Sequence, residues 1–126
     1  AITSTLTTSF KKELLEATHN FATNGNAFKL ALYTSSATLG AATTAFTTTG
    51  QATGTNYTSG GAALTNVAPL TSGTVGCTDF SDLTFGTATV TARCFMIYIS
   101  TAYGDRSVTI IDFGGDKTST SGYVNI

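Results

Sequence analysis

The N-terminal part of the chain carries a helical pattern of apolar positions. Four apolar residues recur at helical spacing: Phe10, Leu14, Ala17 and Phe21. Lys and Glu side chains occupy most of the other faces, and Ser9 is a suitable N-cap. We therefore predict an amphipathic helix from about residue 9 to residue 20, whose four apolar side chains pack against the rest of the protein.

Most of the remaining apolar pattern is typical of β-strands. In residues 27–33, Phe28, Leu30 and Leu32 alternate with Lys29 and other residues, which predicts a half-buried strand. Further segments rich in β-branched and aromatic residues are separated by Gly and Pro. These predicted strands are 62–67, 74–80, 87–100, 108–113 and 123–126.

One helix followed by several short strands predicts a mainly β fold. The 126 residues are enough for one hydrophobic core, so we treat residues 1–126 as a single domain. The expected architecture is an antiparallel β-sandwich with the N-terminal helix packed on one face or edge. The pattern does not distinguish a jelly-roll from an immunoglobulin-like strand order.

Two segments have too few large apolar side chains to fold by themselves. Residues 1–8 are uncharged and predict an N-terminal arm that becomes ordered on contact. Residues 34–61 consist mostly of Ala, Thr, Ser and Gly, with Leu39, Phe46 and Tyr57 as the large side chains. We expect this second segment to be extended or protruding and to be held by neighbouring subunits.

The charge content excludes several classes of function. Only 10% of the residues are charged and the net charge is −1, against roughly 25% charged residues in typical soluble domains. Without a basic stripe we expect no nucleic-acid partner, and without a long apolar run or a secretory signal we expect no membrane partner. A weakly charged, hydroxyl-rich surface favours self-association or burial in an assembly.

The residues that could carry chemistry do not form a recognisable motif. His19 is the single histidine, which leaves Ser and Cys nucleophiles with one possible base, and its position indicates a surface or capping role near the helix end. Cys77 and Cys94 lack metal-ligand spacing, and we expect free thiols rather than a disulfide. Asp79 and Asp82 are typical of a turn. We therefore predict a non-enzymatic protein with no catalytic, cofactor-binding or metal-binding residues.

Arg93 and Asp112 interrupt apolar strands with opposite charges. A charge left buried without a partner costs several kcal/mol in typical cases. We therefore predict that Arg93 and Asp112 form a cross-strand ion pair with a structural role.

Several segments resemble, in the same order, small structural virion proteins of tailed bacteriophages. They are SFKKELLEATHNF at 9–21, FKLALYTSSATLG at 28–40, YTSGGAAL at 57–64, TVTAR at 89–93 and IDFGGDKTS at 111–119. The resemblance covers most of the chain from Ser9 onward. No single motif in the series encodes a chemical activity.

The resemblance implies a virion component that is synthesised in the host cytoplasm. Within that class we expect a capsid decoration or cement protein, which binds the major capsid protein and copies of itself as a trimer. The alternative is a structural subunit of the tail, neck or head fibre. A carbohydrate-binding domain receives little support, because the chain has no Trp and most of its Phe residues fall in strand patterns.

Overall fold

The computed structural model describes residues 2–100 and 104–125. Over these ranges the chain forms one helix, α1 (Thr8–Leu15), and eight strands. The strands are β1 (Thr5–Leu6), β2 (Phe28–Tyr33), β3 (Gly54–Thr55), β4 (Ala62–Ala63), β5 (Asn66–Ser72), β6 (Val75–Phe80), β7 (Thr84–Ile99) and β8 (Ser107–Asn125). The predicted strand 123–126 is the end of β8 as far as Asn125, and Ile126 lies outside the described residues.

The strands form a six-stranded sheet and a two-stranded hairpin. The larger sheet has the order β1-β8-β7-β2-β4, and β3 also pairs with β7. β5 and β6 form the hairpin, and every pairing between these strands is antiparallel. The prediction of a mainly β, antiparallel, sandwich-like fold with one N-terminal helix is confirmed.

The central sheet is apolar on both of its faces. β2 pairs with β7 in an unbroken register from Phe28 opposite Ile99 to Tyr33 opposite Cys94. Because side chains alternate along a strand, Leu30 and Leu32 lie on one face, which we call the front, and Ala31 and Tyr33 lie on the other, the back. β2 was predicted to be half-buried, and this was wrong, since five of its six residues are buried.

Residues 34–61 cover the two faces of this sheet. Ala37, Leu39 and Phe46 pack against the back face, whereas Ala52 and Tyr57 pack against the front face. The expectation that this segment protrudes and relies on neighbouring subunits is therefore wrong for its apolar residues. Their burial inside the chain's own core compensates for the small number of large side chains.

Residues 50–57 also complete the outer edge of β2. The amide of Leu32 donates to the Tyr57 hydroxyl at 2.8 Å, and the Leu32 carbonyl accepts from the Ala52 amide at 2.9 Å. The Tyr57 hydroxyl in turn donates to Gln51 at 3.1 Å. Burial raises the pKa of the Tyr57 hydroxyl above its ordinary value, so the group remains a neutral donor and acceptor at physiological pH.

The N-terminal segment docks on β8. Thr5 and Leu6 pair with Ile110 and Thr109, and Thr7 is fully buried beside Ser107. The Ser107 hydroxyl lies 3.0 Å from the Thr7 hydroxyl and donates to the Thr43 carbonyl at 2.8 Å. Residues 2–7 are thus part of the fold and not a free arm, while Ala1 lies outside the described residues.

The helix is shorter than predicted, and its apolar stripe is only partly buried. Its N-cap is Thr7 rather than Ser9, and it ends at Leu15 because Ala17 adopts a left-handed conformation with φ of 60°. Phe10 is buried, but Leu14 is 47% exposed. Ala17 is exposed and lies beyond the helix, so Leu14 and Ala17 do not belong to a packed face as predicted.

Phe10 and Phe21 do pack together, in a cluster of aromatic rings that anchors the helix to the sheet. The Phe10 and Phe21 ring centroids are 5.9 Å apart with an edge-to-face orientation, and Phe21 stacks on Phe28 at 4.6 Å. Phe80 from the hairpin contacts Phe28 at 5.6 Å. The cluster therefore links α1, β2 and the β5–β6 hairpin.

Phe10→Ala should strongly destabilise the protein. Removing a buried Phe side chain costs about 3 to 5 kcal/mol through lost burial and the cavity left behind. The matched control is Leu15→Ala on the same helix, which should cost less than about 0.5 kcal/mol because Leu15 is 90% exposed. Chemical denaturation of the two variants measures the difference, and equal unfolding free energies would show that the aromatic cluster does not anchor α1.

Tyr57→Phe should destabilise the isolated chain without changing its apolar packing. The substitution leaves the buried Leu32 amide without its hydrogen-bond partner, a loss of about 1 to 3 kcal/mol. Denaturation of the purified protein tests this, with Tyr57→Leu as a second variant that also removes ring contacts and should cost more. A Tyr57→Phe variant as stable as the parent would indicate that residues 50–57 are not docked in the free chain.

Candidate functional site

The described residues contain no cluster with metal-ligand chemistry. In residues 2–100 and 104–125, no three His, Cys, Asp or Glu side chains lie together in a way that could hold a metal ion. Nor does any helix in this part of the chain have the length and hydropathy to cross a membrane. The candidate features in these residues are therefore ion pairs and exposed apolar surfaces.

His19 is buried rather than exposed at the helix end as expected. Its Nε2 lies 2.9 Å from a carboxylate oxygen of Glu13, and the second oxygen of Glu13 lies 3.3 Å from the Arg106 guanidinium. The His19 Nδ1 has no hydrogen-bond partner among the described residues. With a hydrogen on Nε2, the ring donates to the Glu13 carboxylate. These contacts join His19, in the segment after α1, to Glu13 in the helix and to Arg106, the residue that precedes β8.

The predicted pair of Arg93 and Asp112 is present between β7 and β8. The Arg93 Nε donates to the Asp112 carboxylate at 2.9 Å, and the same carboxylate oxygen accepts the Gly114 amide at 3.0 Å. Gly114 adopts φ of 82° at a point where the β7–β8 register shifts. Asp112 therefore fixes both a cross-strand contact and the local turn of the backbone.

The electrostatics of this pair are those of a partly buried structural contact. The Gly114 amide and then the Arg93 guanidinium hold the pKa of the Asp112 carboxyl below its ordinary value. The hydrogen bond to Asp112 raises the pKa of Arg93. Both groups remain charged at neutral pH, so neither is suited to proton transfer there.

The two cysteines lie in different environments and both are free thiols. Cys94 is fully buried on the back face, where desolvation raises the pKa of its thiol to about 11. Cys77 is partly exposed in the middle of β6. A thiol with a raised pKa is a poor nucleophile, so Cys94 is a core residue and not a reactive one.

An apolar concavity lies between the helix and the β5–β6 hairpin. It is an open groove of about 910 Å³, which we call the α1–hairpin groove. One side is lined by Leu6, Phe10 and Leu14 and the other by Pro69, Leu70 and Cys77. The lining residues carry no Asp, Glu, Lys or Arg. Such a surface suits an apolar protein partner better than a charged ligand.

Exposed leucines mark the two sides of the groove. Leu6 is 48% exposed, Leu14 is 47% exposed and Leu70 on the hairpin is 58% exposed. The helical spacing predicted a packed Leu14, because such spacing identifies an apolar face but not what covers it. The long stretch without charged residues between Lys29 and Asp79 is a signal in the sequence that could have indicated the hairpin side of this surface.

Comparisons with protein-family models, curated proteins and solved structures found no match for this chain.

Breaking the Arg93–Asp112 pair should give non-additive effects. Arg93→Met or Asp112→Val alone leaves one charge in a half-buried site, so each should lower the unfolding midpoint, and the double variant should lose less than the sum of the two. A thermodynamic cycle from chemical denaturation measures the coupling. Additive losses would show that the two side chains do not interact in solution.

The contribution of Asp112 should also disappear in acid. Because its folded-state pKa lies below the ordinary carboxyl value of 3.8, its stabilising effect is complete above that value and is lost as the pH falls through the folded-state pKa. The stability difference between the parent and Asp112→Asn should therefore be present at pH 6 and shrink below about pH 4. Asp82→Asn, at an exposed position, is the control. A difference that persists unchanged in strong acid would contradict the assignment.

Proposed function

We propose that this protein is a structural component of a tailed-phage virion, specifically a capsid decoration or cement protein that stabilises the head. The proposal rests first on the ordered series of segments from Ser9 to Ser119 that resembles small virion proteins. The observation that carries the docking role is the uncharged, apolar α1–hairpin groove.

The groove supplies a physical basis for attachment to a shell. Burying an exposed Leu side chain contributes about 1.5 to 3 kcal/mol when the burial is complete. Leu6, Leu14 and Leu70 keep about half of their surface exposed in the single chain, so a partner that covers them gains part of that amount at each position. The proposed partner is the major capsid protein, joined at capsomer boundaries.

Copies of the chain are the second proposed partner. With 10% charged residues and a net charge of −1, two copies repel each other weakly, which favours close packing on a crowded shell. The proposed oligomer is a trimer, and the proposed location is the outer surface of the virion after synthesis in the host cytoplasm. The proposed role is structural and involves no catalysis, nucleic acid or membrane.

Leu14→Asp should weaken attachment to the particle without unfolding the free chain. Because Leu14 is 47% exposed and lines the groove, a carboxylate there should leave the thermal midpoint of the free chain within a few degrees of the parent. It should lower binding to particles assembled without the protein by at least tenfold, since a charge would have to be desolvated in the contact. Leu15→Asp, one residue along and 90% exposed outside the groove, is the matched control.

The same particles test the cement role. Particles that carry the parent protein should survive heating or osmotic shock that ruptures particles without it, and Leu14→Asp should not restore survival. Equal binding by the Leu14→Asp and Leu15→Asp variants would reject the groove as the attachment surface. Particles that survive equally with and without the protein would reject the cement role in favour of a tail, neck or head-fibre position.

A further inference from the structure

The outer edge of β6 differs from the other sheet edges in the described part of the chain. β1, β3 and β4 are only two residues long. β5 contains Pro69, which lacks an amide hydrogen, at a shift of the strand register. The free edge of β8 carries Asp116 and Lys117 next to the positive φ of Gly114. Proline, bulges and charges are the devices that keep sheet edges from pairing.

β6 has almost none of these protective features. Its six residues, Val75–Phe80, contain no proline, and Asp79 near one end is the only charge. Gly76 and Thr78 are exposed. A two-stranded hairpin is marginally stable in water unless further strands or packing support it. Because most residues of β5 and β6 are exposed, an added strand at this edge would supply the missing support.

The hairpin geometry determines which backbone groups point outward from β6. Ser72 pairs with Val75 across the two-residue loop Gly73-Thr74, so these two flank the turn as a hydrogen-bonded pair. Alternation then makes Thr71 and Gly76 a non-hydrogen-bonded pair and Leu70 and Cys77 a hydrogen-bonded one. The backbone groups of Gly76 and Thr78 therefore point away from β5, toward a possible neighbour.

We propose that β6 pairs antiparallel with β6 of a second copy of this chain, about a two-fold axis at Cys77. In this register Gly76 lies opposite Thr78 of the second copy, and each such pair exchanges two backbone hydrogen bonds. Cys77 lies opposite itself at a non-hydrogen-bonded position. The result is a four-stranded sheet in the order β5-β6-β6-β5.

The side chains fit a second copy in this register. Leu70 and Cys77 are cross-strand partners and share one face of the hairpin, so the two copies bring four of these apolar side chains into one row. The two Leu70 side chains, each 58% exposed in the single chain, form the ends of this row, with the two Cys77 side chains at its centre. Both residues line the α1–hairpin groove, so pairing joins the hairpin sides of two grooves.

The charges are also compatible with two-fold pairing. Asp79 lies opposite Val75 of the second copy, and the two Asp79 residues are separated by four residues along the strand, roughly 13 Å. This separation exceeds the Debye length of about 8 Å at physiological ionic strength, so their mutual repulsion is screened. No charged residue occurs between Lys29 and Asp79 to oppose the contact elsewhere on the hairpin.

A two-fold contact pairs copies and cannot by itself close a trimer. If the proposed virion role holds, β6 pairing joins subunits of neighbouring trimers. The contact does not depend on that role, because it follows from the chain's own sheet edge. The test therefore uses the purified chain without particles, so that its outcome is independent of the proposed function.

The first measurement is oxidative cross-linking at Cys77. Cα atoms at a non-hydrogen-bonded position are about 4.5 Å apart, within the range that a disulfide spans. Treatment with diamide, a two-electron thiol oxidant, should give a disulfide-linked dimer of the parent and none of Cys77→Ser, which retains only the buried Cys94. The control for position is Thr71→Cys in the Cys77→Ser background, where the new thiol lies across the hairpin from Gly76 and should not cross-link.

The second measurement compares two variants, each of which lacks one outward-pointing backbone amide hydrogen, on the β6 edge or on the β5 edge. Gly76→Pro deletes a β6 edge donor that the hairpin itself does not use, and Thr71→Pro deletes the corresponding donor on the β5 edge. Sedimentation equilibrium should show a dimer of the parent and of Thr71→Pro, while Gly76→Pro should raise the dimer dissociation constant at least tenfold. Circular dichroism and thermal melts establish that both variants remain folded.

Three results would overturn the proposal. One is a parent chain that stays monomeric and forms no Cys77 disulfide at the highest soluble concentration. Another is cross-linking of the Thr71→Cys variant as fast as that of the parent, which would indicate random collision. The third is equal loss of dimer in the two proline variants.

Discussion

Two-sided burial of the central sheet is the constraint on which the rest of the structure depends. β2 and the second half of β7 carry apolar side chains in both alternating sets, with Leu30 and Leu32 on the front face and Ala31 and Tyr33 on the back. A strand of this kind is stable only when both faces are covered. Residues 34–61 and the N-terminal segment cover these faces, which explains why segments poor in large apolar residues are nevertheless ordered.

The segments that cover the sheet are held in place mainly by hydrogen bonds and small side chains. Thr7, Thr43 and Ser107 join the start of α1 to β8 and to the back-face segment. Tyr57 bridges the front-face segment to the open edge of β2. Gly61 packs so closely on the Leu30 carbonyl that a Cβ atom would overlap it, and its φ of 81° also requires glycine. The hydroxyl groups of this Thr- and Ser-rich chain therefore form hydrogen bonds inside the protein as well as on its surface.

The front face is covered less completely than the back. The aromatic cluster of Phe10, Phe21, Phe28 and Phe80 joins the helix to the base of the hairpin. The α1–hairpin groove lies between them, and the β6 edge borders it. Both surfaces are exposed in the single chain and carry little charge, with Asp79 as the single charged residue of β6. The contacts among Glu13, His19 and Arg106 and between Arg93 and Asp112 are made within the chain.

The sequence by itself determined the fold class, because alternation of β-branched and aromatic residues over residues 27–33 and 87–100 is a local property. It also identified the Arg93–Asp112 pair, since opposite charges inside apolar strands require each other. It did not determine the end of the helix, where the left-handed Ala17 stops α1 at Leu15, six residues before Phe21. The burial of His19 depends on its packing against Phe10 and Phe28, on two different elements. The docking of residues 2–7 and the coverage of the sheet by residues 34–61 depend on contacts between residues 20 to 108 positions apart. Only the tertiary structure decided these features, since apolar spacing shows which side chains can be buried and not which part of the chain buries them.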